Sequence, residues 1–191
     1  MNLLARHRRS HQPHQRGMTV IELMVAIAIL AILLGLAAPS MTRFAAQWRM
    51  SNAVNAFTGS LRTARAEAIA RAKPVVMCRV SSASSTACQT SEGTTGYATG
   101  WIVFADNNGN GSYNSGTDEL LLRQDTQSGV TFQATGGSYS KLTFQPNGLM
   151  GSTPASYNIQ STFDNNMEKV VCLSKPGRML VIDGTQSCPG A

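Results

Sequence analysis

Histidine is missing from the chain after Met18: all three (His7, His11, His14) lie in the opening segment. That absence excludes histidine-based general acid–base chemistry, Ser-His-Asp triads and histidine metal sites from the remainder. Charge is scarce too, at 14% of the 191 residues, and aromatics make up 6%. The net charge of +6 is a poor guide to partners, because Arg6, Arg8, Arg9 and Arg16 supply four of the 16 cations with no acid nearby. The other 12 nearly balance the 10 acids. A nucleic-acid-binding domain keeps its basic excess on the folded part, so composition carries no such footprint. No catalytic residue, cofactor or metal is expected, and an enzyme is the least favoured class.

What the chain does have is a long apolar run. Leu23 to Ala38 is unbroken, and from Met18 to Ala38 only Thr19 and Glu22 are polar. A helix of that length spans about 30 Å, the thickness of a bilayer core. The arginines before it place the N-terminus in the cytoplasm and the remainder beyond the inner membrane, as a single-pass protein. A cleaved secretory signal ending near Gly35-Leu36-Ala37-Ala38 and a plain anchor compete with this reading. Neither explains Glu22, since a carboxylate inside a membrane costs about 2.5–3.5 kcal/mol and needs a partner. Cutting between Gly17 and Met18 would create an α-ammonium four residues away, and a neighbouring subunit's ammonium would neutralise the carboxylate.

The stretch Arg16-Gly17-Met18-Thr19-Val20-Ile21-Glu22-Leu23, followed by the apolar run and Pro39, resembles the signal of type IV pilins and pseudopilins. The resemblance implies a basic leader over 1–17, removed by prepilin peptidase after Gly17. It also implies methylation of Met18 and a filament-assembly role for Glu22. Phe is commoner than Met after the cut.

Helical spacing continues through Met50, Val54, Phe57, Leu61, Ala64 and Ala68, one stripe on an amphipathic helix over 39–73. Lys73-Pro74 predicts its end, and Pro39 a kink within the pattern. Trp48 and Phe44, one turn apart, suit either the membrane–water boundary or packing on neighbouring helices. From 74 to 191 the chain is rich in Ser, Thr, Gly and Asn. Eight strands are predicted: Val75–Val80, Trp101–Ala105, Glu119–Arg123, Val130–Gln133, Lys141–Gln145, Tyr157–Phe163, Lys169–Leu173 and Met179–Ile182. Turn signals at Asn107-Asn108-Gly109, Asn147-Gly148 and Lys175-Pro176-Gly177 separate them. The fold class is α+β, a long N-terminal helix packed against a mainly antiparallel sheet.

Four cysteines (Cys78, Cys88, Cys172, Cys188) allow three disulfide connectivities, which sequence alone does not resolve. Sequential pairing closes the shortest loops and is favoured, in a compartment where disulfides persist. Asp106, Asn108, Asn110, Asp118 and Glu119 imitate a calcium loop, but the position that an EF-hand reserves for glutamate is Thr117. Asx-turns in a long strand connection are the favoured reading.

The phrase Gly100-Trp101-Ile102-Val103-Phe104-Ala105-Asp106-Asn107-Asn108-Gly109-Asn110-Gly111 is similar to the GspH/FimT family of minor pilins and pseudopilins. So are Thr117-Asp118-Glu119-Leu120, Ala64-Arg65-Ala66-Glu67-Ala68-Ile69 before Pro74, the Phe144 to Gly148 turn and Val171-Cys172 leading to Gly177-Arg178. The resemblance covers nearly all of Met18–Ile182. It implies a non-enzymatic subunit that initiates or caps a type IV pilus or the type II secretion pseudopilus, with other minor subunits and the major subunit as partners. Some members of the family bind DNA during uptake through a basic C-terminal pattern. Here the second arginine of that pattern is replaced by Leu180, leaving Arg178 with Lys169 and Lys175, so a membrane-anchored DNA receptor is the alternative.

Overall fold

The computed structural model describes residues 17–135, 140–151, 155–184 and 186–189. The leader expected over 1–17 lies outside them except for Gly17. The chain divides into two compact units, Met1–Met41 and Thr42–Ala191. Helix α1, Val20–Arg71, contributes to both.

In the second unit α1 buries Ala46, Met50, Ala53, Val54, Phe57, Leu61, Ala64 and Ala68. Apart from the adjacent Ala53 and Val54 these fall three and four apart, so they form the face that the apolar periodicity predicts. The helix ends in a Schellman arrangement: Ala72 N–H donates to the Ile69 carbonyl and Lys73 N–H to the Ala68 carbonyl, both at 3.3 Å. This places Ala72 at φ 53°, the one positive φ outside glycine among the described residues. Pro74 follows, where an extended backbone is required.

Eight strands follow, close to their expected bounds, but they form two sheets rather than one. The first contains β1 (Val75–Arg79), β2 (Trp101–Ala105), β3 (Glu119–Gln124) and β5 (Lys141–Phe144) in the order β3-β2-β1-β5. The second contains β4 (Val130–Thr135), β6 (Ala155–Ser161), β7 (Glu168–Leu173) and β8 (Met179–Asp183) in the order β4-β6-β7-β8. All these pairings are antiparallel. A period of two identifies a strand but not its partner, and here β5 returns to β1 while β4 and β6 pair past it.

Phe57 of α1 joins both sheets. Its ring lies 5.8 Å from Trp101 of the first, and 5.2 and 5.1 Å from Phe132 and Tyr157 of the second. Trp101 satisfies its buried N–H on Ser60 Oγ at 2.9 Å, an additional tie between helix and sheet. Strands β1 and β2 are buried on both faces, as their uninterrupted apolar runs require. Val76, Cys78, Val80, Ile102 and Phe104 make a second small core, covered by Cys88 and Tyr113.

Candidate functional site

The N-terminal segment is organised around Thr19 and Glu22. Glu22 N–H donates to Thr19 Oγ1 at 3.3 Å, and Thr19 N–H to Glu22 Oε2 at 3.5 Å. This is a capping box: each side chain satisfies a backbone donor that the helix start leaves open. Leu23 N–H bonds the Thr19 carbonyl at 3.1 Å, so the helical ladder begins there. The carboxylate thus sits where the helix dipole favours negative charge, and its second oxygen is available to a cation from outside. Met18, one residue before the cap, is 69% exposed. The Thr-x-x-Glu pattern is visible in the sequence, and it assigns Thr19 a role that assembly reasoning about Glu22 alone overlooked.

Beyond the cap, every large apolar side chain from Val20 to Leu36 is more than half exposed. Among the described residues no single helix is long and apolar enough to cross a membrane. Val20–Leu36 and Ser40–Arg71 pass that test only together, as a pair interrupted at residues 37–39.

In the second unit, Cys78 is bonded to Cys88 and Cys172 to Cys188, with Cα atoms 5.4 and 5.7 Å apart. The first bond fastens the Ser/Thr-rich loop over the small core. Buried Arg79 fastens the same loop further on, donating to the Gly96 and Ser91 carbonyls at 2.8 and 3.0 Å.

The Asp106–Asp118 connection uses its carboxylates internally. Asp106 accepts from Gly109 and Gly111 N–H, both at 2.8 Å, and Asp118 from Asn107 and Asn114 N–H at 2.9 and 2.8 Å. Both are buried. No cluster of three or more potential metal ligands exists among the described residues. Glu119 instead faces Arg71, which also bonds Glu67. These bonds hold the Arg71 guanidinium proton more tightly than usual, Glu119 contributing most.

Lys169, Lys175 and Arg178 are not brought together. Lys169 pairs with Asp183 across β7 and β8. Lys175 and Arg178 lie at the opposite end of that hairpin, about 16 Å along the strand. There Gly177 N–H and Arg178 N–H both bond Ser174. Arg65, not anticipated from sequence, joins this turn: its Nε donates to the Gly148 carbonyl at 3.1 Å, and a Cβ on Gly177 would lie 2.9 Å from it.

Two family models match the chain. One, described as type II transport protein GspH, matches residues 53–177. The other, the prokaryotic N-terminal methylation motif, matches residues 12–38. No curated protein sequence matches. In structure the chain is similar to the minor pseudopilin EpsH of the Vibrio cholerae type 2 secretion system, with TM-score 0.50 and 11% identity over 72% of this chain and 99% of that one. It is also similar to the type IV minor pilin FimU of Pseudomonas aeruginosa, with TM-score 0.47 and 14% identity over 81% of this chain and 97% of that one. At these identities the likeness concerns the fold.

Proposed function

The chain belongs to the GspH family of minor pilins and pseudopilins, and from that membership we propose a membrane-anchored minor subunit that initiates or caps an extruded filament. Prepilin peptidase would cut after Gly17, Met18 would be methylated, and Glu22 would pair with a neighbouring subunit's terminal ammonium. The domain from 74 onward would lie in the periplasm before extrusion. The observation that carries this reading is the coincidence of the methylation motif with a capped helix start whose large apolar side chains, Val20 to Leu36, are all more than half exposed. Such a surface needs lipid or other helices around it, and the cap keeps a carboxylate at its cytoplasmic end.

Type IV pili and the type II secretion pseudopilus are both open to a subunit of this kind. The test is a count of surface pili by negative-stain microscopy on cells lacking the gene and on complemented cells. Loss restored by complementation identifies a pilus initiator. Normal pili with reduced export of secreted enzymes identify the pseudopilus. Normal pili and normal export overturn the reading.

A second reading, DNA contact, draws support from Arg65 reaching the turn whose sequence carries Lys175 and Arg178. Labelled DNA titrated at about 50 mM salt, where phosphate contacts are strong, tests it; absence of binding rejects it.

A further inference from the structure

Three aromatic side chains are exposed among the described residues, Phe44, Trp48 and Phe163, at 64%, 62% and 58%. All belong to one end of the second unit. Arg43 lies 3.6 Å from Asp164. Arg49 lies across Gly129, where a Cβ would meet its Cδ at 3.2 Å, and the Gly129 carbonyl accepts from Thr162 N–H at 3.0 Å. The helix at 43–49 and the β6–β7 turn therefore form one surface. Phe44 and Trp48, four apart on α1, share a face away from buried Ala46 and Met50.

The turn presents Phe163 on a fixed backbone. Phe163 N–H bonds Ser161 Oγ at 3.2 Å, Asn166 N–H bonds Asp164 Oδ1 at 3.0 Å, and Met167 N–H bonds the Asp164 carbonyl at 2.9 Å. Asp164, Asn165 and Asn166 are ordinary turn residues; a phenylalanine among them has no local backbone reason. Phe44 follows the end of the apolar run at Ala38 by six residues, about 9 Å of helix and at most about 22 Å of extended chain. That reach matches the headgroup layer of a bilayer in which the run terminates.

We propose that this end of the β domain docks on the surface of the bilayer that holds the apolar helix. Phe44, Trp48 and Phe163 occupy the headgroup layer, and Arg43 and Arg49 face lipid phosphates, with Asp164 the acid beside Arg43 and Glu168 and Asp183 lining the adjoining groove at Gln47. Amphipathic aromatics favour this layer, and arginine stems lie along it with their charge outward. The proposal rests on the membrane anchoring stated above. Packing against a second copy's helix fits the surface less well. It would use the helix face alone, leave Phe163 off to the side and desolvate Arg43, whose side chain is 72% exposed.

The chain's two tryptophans make the test possible, because Trp101 is wholly buried and Trp48 is not. The full chain is reconstituted in phosphatidylcholine–phosphatidylglycerol vesicles whose lipids carry bromines shallow in the acyl chains. Failure to float with the vesicles overturns the anchoring reading and the docking together. In a floating chain, the lipid should quench Trp48 and leave the blue emission of Trp101, which also reports folding. The decisive variant combines Trp48→Phe with Phe163→Trp, and its new indole should be quenched as Trp48 was. An unquenched indole in a floating, folded chain overturns the docking alone and leaves a free domain or a helix neighbour. Asn165→Trp in the Trp48→Phe background reads the same turn with Phe163 kept, should the first variant fail to fold.

Discussion

Glu22 can serve a filament in two ways, as a charge that pairs with an ammonium or as half of a helix cap, and substitution can separate them. Glu22→Gln removes the charge but keeps a side chain able to reach Thr19 N–H, since glutamine also completes a capping box. Thr19→Val removes the hydroxyl and keeps the charge. The cap bonds are long, 3.3 and 3.5 Å, so its loss falls at the low end of measured caps, about 0.5–1 kcal/mol. An ammonium–carboxylate contact at about 4 Å contributes on the order of 4 kcal/mol at an effective dielectric of about 20. Neutralising Glu22 also removes the cost of about 2.5–3.5 kcal/mol that a carboxylate bears in lipid, so the unassembled subunit is stabilised as well. Glu22→Gln should therefore reduce incorporation by two or more orders of magnitude, and Thr19→Val by less than tenfold. Immunoblots of sheared filaments against the membrane fraction measure both, and cleavage after Gly17 should be unaffected in either. Wild-type incorporation of Glu22→Gln beside failure of Thr19→Val would refute the charge reasoning and leave the cap as the functional feature.

Phe57→Ala should destabilise the β domain by about 3–5 kcal/mol, because the ring is fully buried between two sheets. Thermal melts of the full chain in detergent check this, and Ile69→Ala, on the exposed side of the same helix, should cost under about 1 kcal/mol. Ala72→Gly should stabilise the domain by about 0.5–1 kcal/mol by relieving a left-handed alanine at the helix end; a lower melting temperature would contradict the cap assignment. Burial pushes the Tyr97 hydroxyl well above its ordinary value, against a smaller opposing interaction with Tyr157. A raised folded value means that its stability contribution is complete below about pH 10 and declines above it, by up to about 1.4 kcal/mol per pH unit. Urea titrations between neutral and strongly alkaline pH should show a shallower decline for Tyr97→Phe than for wild type.

The helix and strands were legible because each repeats a local pattern. The stripe from Met50 to Ala68 and the uninterrupted runs of β1 and β2 state their periods without help from the rest of the chain. What the sequence left open depends on contacts between distant segments. Nothing local says that β5 pairs with β1 while β4 and β6 pair with each other. Lys169 reads as a free cation until the β7–β8 register sets Asp183 opposite it. Phe163 reads as the end of a strand, yet Ser161 N–H bonds the Met167 carbonyl and closes the ladder two residues earlier. Of the N-terminal site the reverse holds. The Thr19–Glu22 cap is made within three residues, so its pattern could be read from spacing alone.

The two units differ in what they leave unsatisfied, and this indicates where the free energy of assembly resides. In the domain, the inner sheet faces pack on α1, Cys88 and Tyr113 cover the outer face of β1 and β2, and Asp106 and Asp118 are occupied by their own loop amides. Between Met18 and Leu36, by contrast, thirteen large apolar side chains are more than half exposed. At about 1 kcal/mol for each part-exposed side chain, leaving them in water costs on the order of 13 kcal/mol, comparable with the whole stability of a domain. Lipid relieves that cost, and so do neighbouring apolar helices. Because lipid tails are as apolar as leucine, moving the helix from one to the other changes the apolar contribution little. The direction of transfer is then decided by whichever group is tolerated differently in the two surroundings. In the proposed assembly that group is Glu22, unfavourable in lipid and favourable beside a neighbour's ammonium, and it would bias the filament over the membrane.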